Sequence, residues 1–344
     1  MLNCRGGIFQ YTSMIKKGFF LSIIVFATFL MALYMYFVNG IHFDRKISYP
    51  QNNAIWVEHS FSEEEKSDSE IQVLVTTLLK HNLRTVFLHA GPIELSGVVP
   101  PERYRRAKVF LEKARKFSKD IVWQAWLGQI RSKLPLENPE VRKNIVQSAT
   151  ILTSEIGFDG IHYDIEPIFD GDKNFLALLR ETREALSEKA PLSVASDEWQ
   201  SRPLTLLLSK IVKKDSKSYW GTRYMAEVAS MVDQIIIMTY DSSITSPWLF
   251  SFWVEQQVVY ATQAVKNKKA RILIGIPAYK EKTASFDPEA ENIETGLLGL
   301  ILGIRNIRSN LESFSGIAIY PYWTMEESDW KTYDTLSGQI PLSP

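Results

Sequence analysis

Asp164 and Glu166 stand two positions apart in GFDGIHYDIEP, residues 157–167, within a stretch whose Ile161, Tyr163 and Ile165 read as a strand. Side chains alternate faces along a strand, so Gly160, His162, Asp164 and Glu166 share one face, and the two carboxyl positions lie about 6.6 Å apart. Strand propensity disfavours Asp and Glu, and charged side chains are seldom fully buried unless paired. Two carboxyls this close in a partly dry pocket do not ionise together, and one keeps its proton. A carboxylic acid still protonated near neutral pH is a general acid. A functional site tolerates such locally unfavourable choices. The structural alternative is a polar network in which a Lys or Arg pairs with the two acids and braces the fold.

The surrounding elements decide where that face points. From residue 54 onward, short β-branched or aromatic runs alternate with helical patterns. AIWVEHS, RTVFLHAG, DIVWQAWLG, FDGIHYDIEP, LSVASDEW, QIIIMTYDSS, RILIGIPAY and GIAIYPYW read as strands. Between and after them run segments with apolar residues at three- and four-residue spacing, the helical period. Strands alternating with helices imply a parallel sheet. Eight such units in about 290 residues predict an α/β fold, a closed (β/α)8 TIM barrel, whose catalytic groups sit at the C-terminal strand ends. Those ends carry Glu58 and His59, His89, Gln124 and Trp126, Asp164 and Glu166, Asp197 and Trp199, Tyr240 and Asp241, Tyr279, and Tyr320 with Trp323. The acidic run SEEEKSDSE, 62–70, reads as a solvated loop leading into the first helix.

The N-terminus differs in kind. GFFLSIIVFATFLMALYMYFV, residues 18–38, contains no charge, and about 20 apolar residues span a bilayer core as a helix. Arg5, Lys16 and Lys17 precede it, and Tyr34 and Tyr36 lie near its far end. The expectation is a short cytoplasmic tail over 1–17, an uncleaved transmembrane signal anchor over 18–38, a polar stem over 39–53, and a barrel domain over 54–344. The positive-inside rule then places that domain outside the cytoplasm of a single-pass membrane protein. A cleaved signal peptide is the alternative, but its apolar region is shorter and ends in a small-residue site, which FVNGIH does not supply. Cys4 is the sole cysteine, so no internal disulfide is available.

The chain carries 39 basic and 39 acidic residues, and without a basic surface nucleic acid is excluded as a partner. His59, His89 and His162 lie at strand ends, but no H-x-H or H-E-x-x-H spacing points to a metal. There is no Gly-rich phosphate loop and no G-x-S-x-G elbow. No cofactor and no metal are expected. Trp126, Trp199 and Trp323 either stack on sugar rings or pack between loops and helices.

Three of these stretches resemble one family. DGIHYDIE, 159–166, is similar to the D-G-x-D-x-D-x-E signature of family 18 glycoside hydrolases, the chitinase-like and endo-β-N-acetylglucosaminidase-like enzymes. MTYD, 238–241, resembles the sixth-strand M-x-Y-D motif, and GIPAY, 275–279, the seventh-strand G-x-P-x-Y motif. The resemblance implies substrate-assisted hydrolysis with retention, an exception to the two-carboxylate scheme. Glu166 would protonate the glycosidic oxygen, and the substrate's 2-acetamido carbonyl would attack. Asp164 would orient and charge-stabilise the acetamido nitrogen. Tyr240 would hydrogen-bond the acetamido oxygen, and Asp241 would contact the sugar ring. Trp126, Trp199, Tyr279, Tyr320 and Trp323 would line the substrate path. The partner implied is a carbohydrate polymer containing β-linked N-acetylglucosamine.

The chain also departs from the pattern. His162 replaces the signature's middle Asp, and its imidazole is expected to hydrogen-bond Asp164 and shift the pH profile. WQAWLG replaces S-x-G-G on the third strand, Tyr320 stands for the eighth-strand Trp, and only KEKTASFDPEAEN separates the seventh strand from its helix. The expectation is a divergent member with a shallow cleft. The rival is a non-catalytic sugar-binding barrel, for which the altered His162 argues and the retained Glu166 argues against.

Overall fold

The computed structural model describes residues 22, 24–29, 42–45, 52–199 and 219–340. Strands β1 (Asn53–Val57), β2 (Leu83–Pro92), β3 (Val122–Ile130), β4 (Gly160–Glu166), β5 (Leu192–Ser196), β6 (Gln234–Met238), β7 (Arg271–Pro277) and β8 (Phe314–Tyr320) pair in sequence order, and β8 closes on β1. Every pairing is parallel. The helices that follow them are α1 (Asp68–Lys80), α2 (Ala107–Phe117), α3 (Pro139–Ile151), α4 (Lys173–Ala185), α5 (Thr222–Val228), α6 (Pro247–Ala264), α7 (Ile293–Arg305) and α8 (Glu327–Ser337). The (β/α)8 barrel expected from the alternation is the fold observed.

Local sequence sets the helix starts. Ser67 and Glu70 form a capping box on α1, Asn138 caps α3 ahead of Pro139, and Asp172 accepts from the N–H groups of Asn174 and Phe175 at the start of α4. Each cap occupies backbone donors that a helix start leaves unpaired. The strands are buried on both faces, which is why they read as continuous apolar runs rather than clean alternation. One set of side chains, including Val57, Leu88, Tyr163, Val194, Ile237, Ile274 and Ile319, packs outward against the helices. The other set fills the barrel: Ala54, Trp56, Phe87, Ile236, Leu273 and Ala318, with Trp126 and Tyr320 above them. Burying one such large apolar side chain contributes about 1.5–3 kcal/mol.

The span expected over 18–38 lies mostly outside the described residues. Residues 22 and 24–29 are helical, and Ile24, Val25, Phe26 and Phe29 are exposed. Among the described residues, no helix is long and apolar enough to cross a membrane. The tail expected over 1–17, with Cys4, also lies outside them. The expected stem, in contrast, touches the barrel. His42 bridges to Asn306, the Phe43 N–H donates to the Arg305 carbonyl at 2.9 Å, and Arg45 donates to the carbonyls of Asn306 and Ser309, each at 2.9 Å. His42 Nε2 lies 2.9 Å from Glu255 Oε1 on α6, whose carboxyl is buried and also accepts from Asn306 at 2.8 Å. These contacts sit where α7 ends and the chain turns toward β8, at the N-terminal strand face, opposite the barrel mouth.

Candidate active site

The β4 face holds two environments in succession. His162 is the inner one and is fully buried. Its ring stacks on Phe87 with centroids 3.9 Å apart. The Trp56 indole N–H points at Nε2 at 3.2 Å, which makes that nitrogen the acceptor and leaves Nδ1 to carry the proton. Nδ1 lies 2.8 Å from the Ser193 hydroxyl, which donates to Gln124 Oε1 at 2.7 Å, and the Gln124 amide donates to Gln234 Oε1 at 3.2 Å. Burial lowers the His162 pKa to about 3, so the ring is neutral. The expected hydrogen bond from His162 to Asp164 does not form, because both ring nitrogens are engaged within this layer. The hydrogen bonds of His162 thus run within the barrel interior and not to Asp164.

Asp164 takes its partner from the neighbouring strand instead. Residue 164 registers with Gly128, and residue 162 with Trp126. The Trp126 indole reaches forward and donates to Asp164 Oδ2 at 2.7 Å. A Cβ at Gly128 would meet the Trp126 indole nitrogen at 3.6 Å, an ordinary van der Waals contact. Thus WQAWLG supplies, from β3, the hydrogen bond that the altered β4 position does not. Apart from the neighbouring Glu166 carboxyl, the buried Oδ1 of Asp164 has no hydrogen-bond partner among the described residues. Burial raises the Asp164 pKa, while hydrogen bonding with Glu166 and Trp126 acts to lower it. Two carboxyls in contact favour a state with one proton between them.

Aromatic rings wall the mouth. Tyr240 stacks on Tyr320 with centroids 5.6 Å apart, and Tyr279 meets both edgewise at 6.0 and 5.8 Å. Trp126 and Trp323 also meet Tyr320 edgewise, at 6.3 and 5.9 Å. Gly275 gives Tyr240 its room, since a Cβ at that position would lie 3.3 Å from the tyrosine ring. Burial, reinforced by the nearby Asp164 and Glu166 charges, raises the Tyr240 pKa and pushes Tyr320 up to about 12. Both hydroxyls therefore stay protonated and able to donate. Asp241 is exposed at the rim, where Ser285 donates to its Oδ1 at 3.1 Å.

Trp199 does not join this group. It stacks on Tyr260 of α6 at 4.0 Å, and its indole N–H donates to Thr222 at 3.1 Å. It lines a separate cleft with Asp170, Lys173 and Tyr224. Adjacent sequence placed it beside the strand end; the turn after β5 carries it outward. Asp159, the first acid of the β4 segment, accepts from the Trp123 N–H at 2.8 Å and from Arg115 at 3.0 Å. It ties the entry of β4 to β3 and α2.

Sequence reasoning missed Phe286, which is buried and stacks on Tyr279 at 3.9 Å, and Glu291, which is buried beneath the loop carrying Asp241. Both lie in the segment read only as short, and no periodicity singles them out. His89, considered only as a metal ligand, meets Trp126 edgewise at 4.7 Å. Burial lowers its pKa to about 4, and its Nδ1 has no partner. Among the described residues, no group of three or more His, Cys, Asp or Glu could hold a metal ion.

The family model of glycosyl hydrolases family 18 matches residues 35–337. Solved structures with this fold include the spore cortex-lytic enzyme SleL of Bacillus cereus, 12% identical, with a TM-score of 0.57 over 88% of this chain and 76% of that one. The C-terminal domain of a putative chitinase from Desulfitobacterium hafniense is 15% identical, with a TM-score of 0.60 over 85% of this chain and 99% of its own. The family 18 chitinase of Cycas revoluta, solved in complex with allosamidin, is 13% identical, with a TM-score of 0.58 over 83% of this chain and 99% of its own. No curated protein matches the chain.

Proposed function

The chain belongs to family 18 of the glycosyl hydrolases as a divergent, chitinase-like glycoside hydrolase, and we propose that it cleaves β-linked N-acetylglucosamine glycans with the substrate's own acetamido group as nucleophile. The observation that carries this reading is the buried Oδ1 of Asp164, which has only the Glu166 carboxyl beside it. Once Glu166 gives up its proton, that acceptor is left without a donor, which is costly. An acetamido N–H supplies the missing donor, and in doing so turns the acetamido oxygen toward the anomeric carbon. Trp126 holds the other oxygen and with it the orientation of the carboxylate.

Glu166 gives its proton to the glycosidic oxygen as the bond to the leaving sugar breaks, while the acetamido oxygen forms a bond to the anomeric carbon. The resulting oxazolinium is positive, and Asp164 faces it as a carboxylate. Water then adds at the anomeric carbon, gives its proton to Glu166, and regenerates the acetamide with retained configuration. Tyr240 donates to the acetamido oxygen, Asp241 contacts the ring, and Tyr279, Tyr320 and Trp323 offer aromatic surface along the path.

We further propose that residues 18–38 anchor the protein in a membrane as a single pass, with the barrel outside the cytoplasm. Docking of residues 42–45 on the face opposite the mouth supports an orientation in which the mouth points away from the bilayer. That favours an envelope glycan over a lipid-proximal substrate, and the likeness to a cortex-lytic enzyme makes peptidoglycan a substrate to test.

The test uses the full chain in detergent, incubated with chito-oligosaccharides and with purified peptidoglycan, and read by mass spectrometry beside Glu166→Gln. Cleavage that vanishes in the variant supports the scheme, and the product masses name the bond. Binding of sugar by both proteins with no cleavage by either would refute it.

A further inference from the structure

The loop after β6 bends in a way its residues do not favour. Asp241 has φ 58° and Ser243 φ 62°, a left-handed conformation that non-glycine residues keep only where the surroundings over-determine it. The residue between them is held from outside the loop. The Ser242 hydroxyl donates to Glu291 Oε1 at 3.0 Å, its N–H faces Oε2 at 3.4 Å, and the same hydroxyl accepts from the Ile244 N–H at 3.2 Å. The Ser243 N–H donates to the Ser285 carbonyl at 2.7 Å. Both outside contacts come from residues 278–292, between β7 and α7.

Glu291 is 0% exposed, and the hydrolytic scheme gives it no role. Its position is fixed: its own N–H donates to the Asp287 carbonyl at 2.7 Å, and the next residue, Asn292, caps α7. A buried carboxyl is rare unless it is paired, and the partner here is the serine at the centre of the strained turn.

We propose that Glu291 is a positioning residue for the sugar-contacting loop, holding through Ser242 the left-handed turn that sets Asp241 at the rim of the mouth. The proposal rests on the reading of Asp241 as a sugar contact. The brace uses two acceptors, because Ser242 offers both its hydroxyl and its N–H, and a carboxyl supplies both where an amide supplies one.

The charged groups facing Glu291 are Asp241 on the β6 loop and Glu198 beyond β5. Asp287 on its own loop is turned to Lys282 at 2.8 Å. Burial first, and then the Asp241 and Glu198 carboxylates, raise the Glu291 pKa to about 7 against the Ser242 hydrogen bonds. The Ser242 O–H and N–H both donate to this carboxyl and so favour its ionised form, against the burial that holds the proton. The brace therefore tightens as the carboxyl ionises through about pH 7.

The experiment compares the full chain in detergent with Glu291→Gln and Glu291→Ala. Hydrogen–deuterium exchange is followed over residues 239–246, and kcat and KM for a chito-oligosaccharide are measured below and above neutral pH. Glu291→Ala is expected to speed exchange and raise KM about tenfold or more at both pH values, with kcat changed far less. Glu291→Gln keeps Ser242 occupied with a neutral amide. It offers one acceptor oxygen in place of two, so exchange and KM are expected to lie between those of the wild type and Glu291→Ala and to lose the wild-type tightening above neutral pH. Unchanged exchange in Glu291→Ala, or a Gln variant no different from the wild type above neutral pH, overturns the proposal. A wild type that cleaves no N-acetylglucosamine glycan overturns the functional reading instead, and the exchange measurement still judges the brace.

Discussion

Two polar layers sit one above the other in the same barrel, and they are finished to different degrees. In the lower one, Trp56, His162, Ser193, Gln124 and Gln234 form a chain of donors and acceptors in which each ring nitrogen of His162 has a partner. In the upper one, among the described residues, His89 Nδ1 is buried without one, and Asp164 Oδ1 and the Tyr279 hydroxyl have only the carboxyls of Glu166 and Asp241 beside them. Buried polar groups in native proteins are nearly always satisfied, and the exceptions call for an explanation. The lower layer is complete without a ligand and serves the fold. The upper layer leaves polar atoms open to a ligand, and the glycan proposed for it carries an acetamido group that can meet them.

The contrast can be broken at either level. Glu166→Gln keeps the shape of the mouth and removes the acid, so kcat is expected to fall about 10²- to 10⁴-fold, with sugar affinity and unfolding midpoint near wild type. Steady-state kinetics and thermal unfolding check this together. His162→Ala acts the other way. It opens a cavity against Phe87, strands the Trp56 N–H and takes away the Nδ1–H that Ser193 accepts, at a cost to stability of about 3 kcal/mol, read by urea unfolding.

His162 also makes a pH prediction. Its folded pKa of about 3 lies below the ordinary 6.5, so the unfolded chain takes up the proton first. Its contribution is complete above pH 6.5 and falls by about 1.4 kcal/mol per pH unit as pH drops toward 3. A His162→Gln variant should show a shallower loss over that window in unfolding experiments at stepped pH, and an equal slope would contradict the neutral, buried ring.

Trp126→Phe sharpens the comparison at the seam between the layers. It keeps the ring and removes the N–H that orients Asp164, which is expected to cost about 1.5–3 kcal/mol of transition-state stabilisation in kcat/KM. The smallest effect is expected far from both layers. His42→Ala leaves the buried Glu255 with the Asn306 amide as its donor and should lower stability by about 1 kcal/mol with kcat/KM unchanged. It would also show that the barrel unit begins before residue 54.

Much of this was legible in the chain. The strand–helix alternation predicted the barrel because each element announces itself within a few residues, through periodicity and caps such as Ser67 with Glu70. The β4, β6 and β7 stretches predicted the mouth because strand ends in this fold converge there. His162 was misread because alternation along a strand tells which face a residue shares but not its depth. Two positions separate the satisfied layer from the open one. Trp199 was misplaced for a related reason, since the turn after β5 is not periodic.

The sequence by itself determined the element order, the closed parallel barrel and the set of acids and aromatics delivered to one end of it, because these depend on local pattern and chain connectivity. Tertiary structure alone decided which neighbour each polar atom meets. That Trp126 rather than His162 serves Asp164, and that Glu291 lies beneath Ser242, follows from the register of adjacent strands and the packing of one loop against another. Those contacts join residues 38 and 49 positions apart in the chain, and no local rule reaches that far.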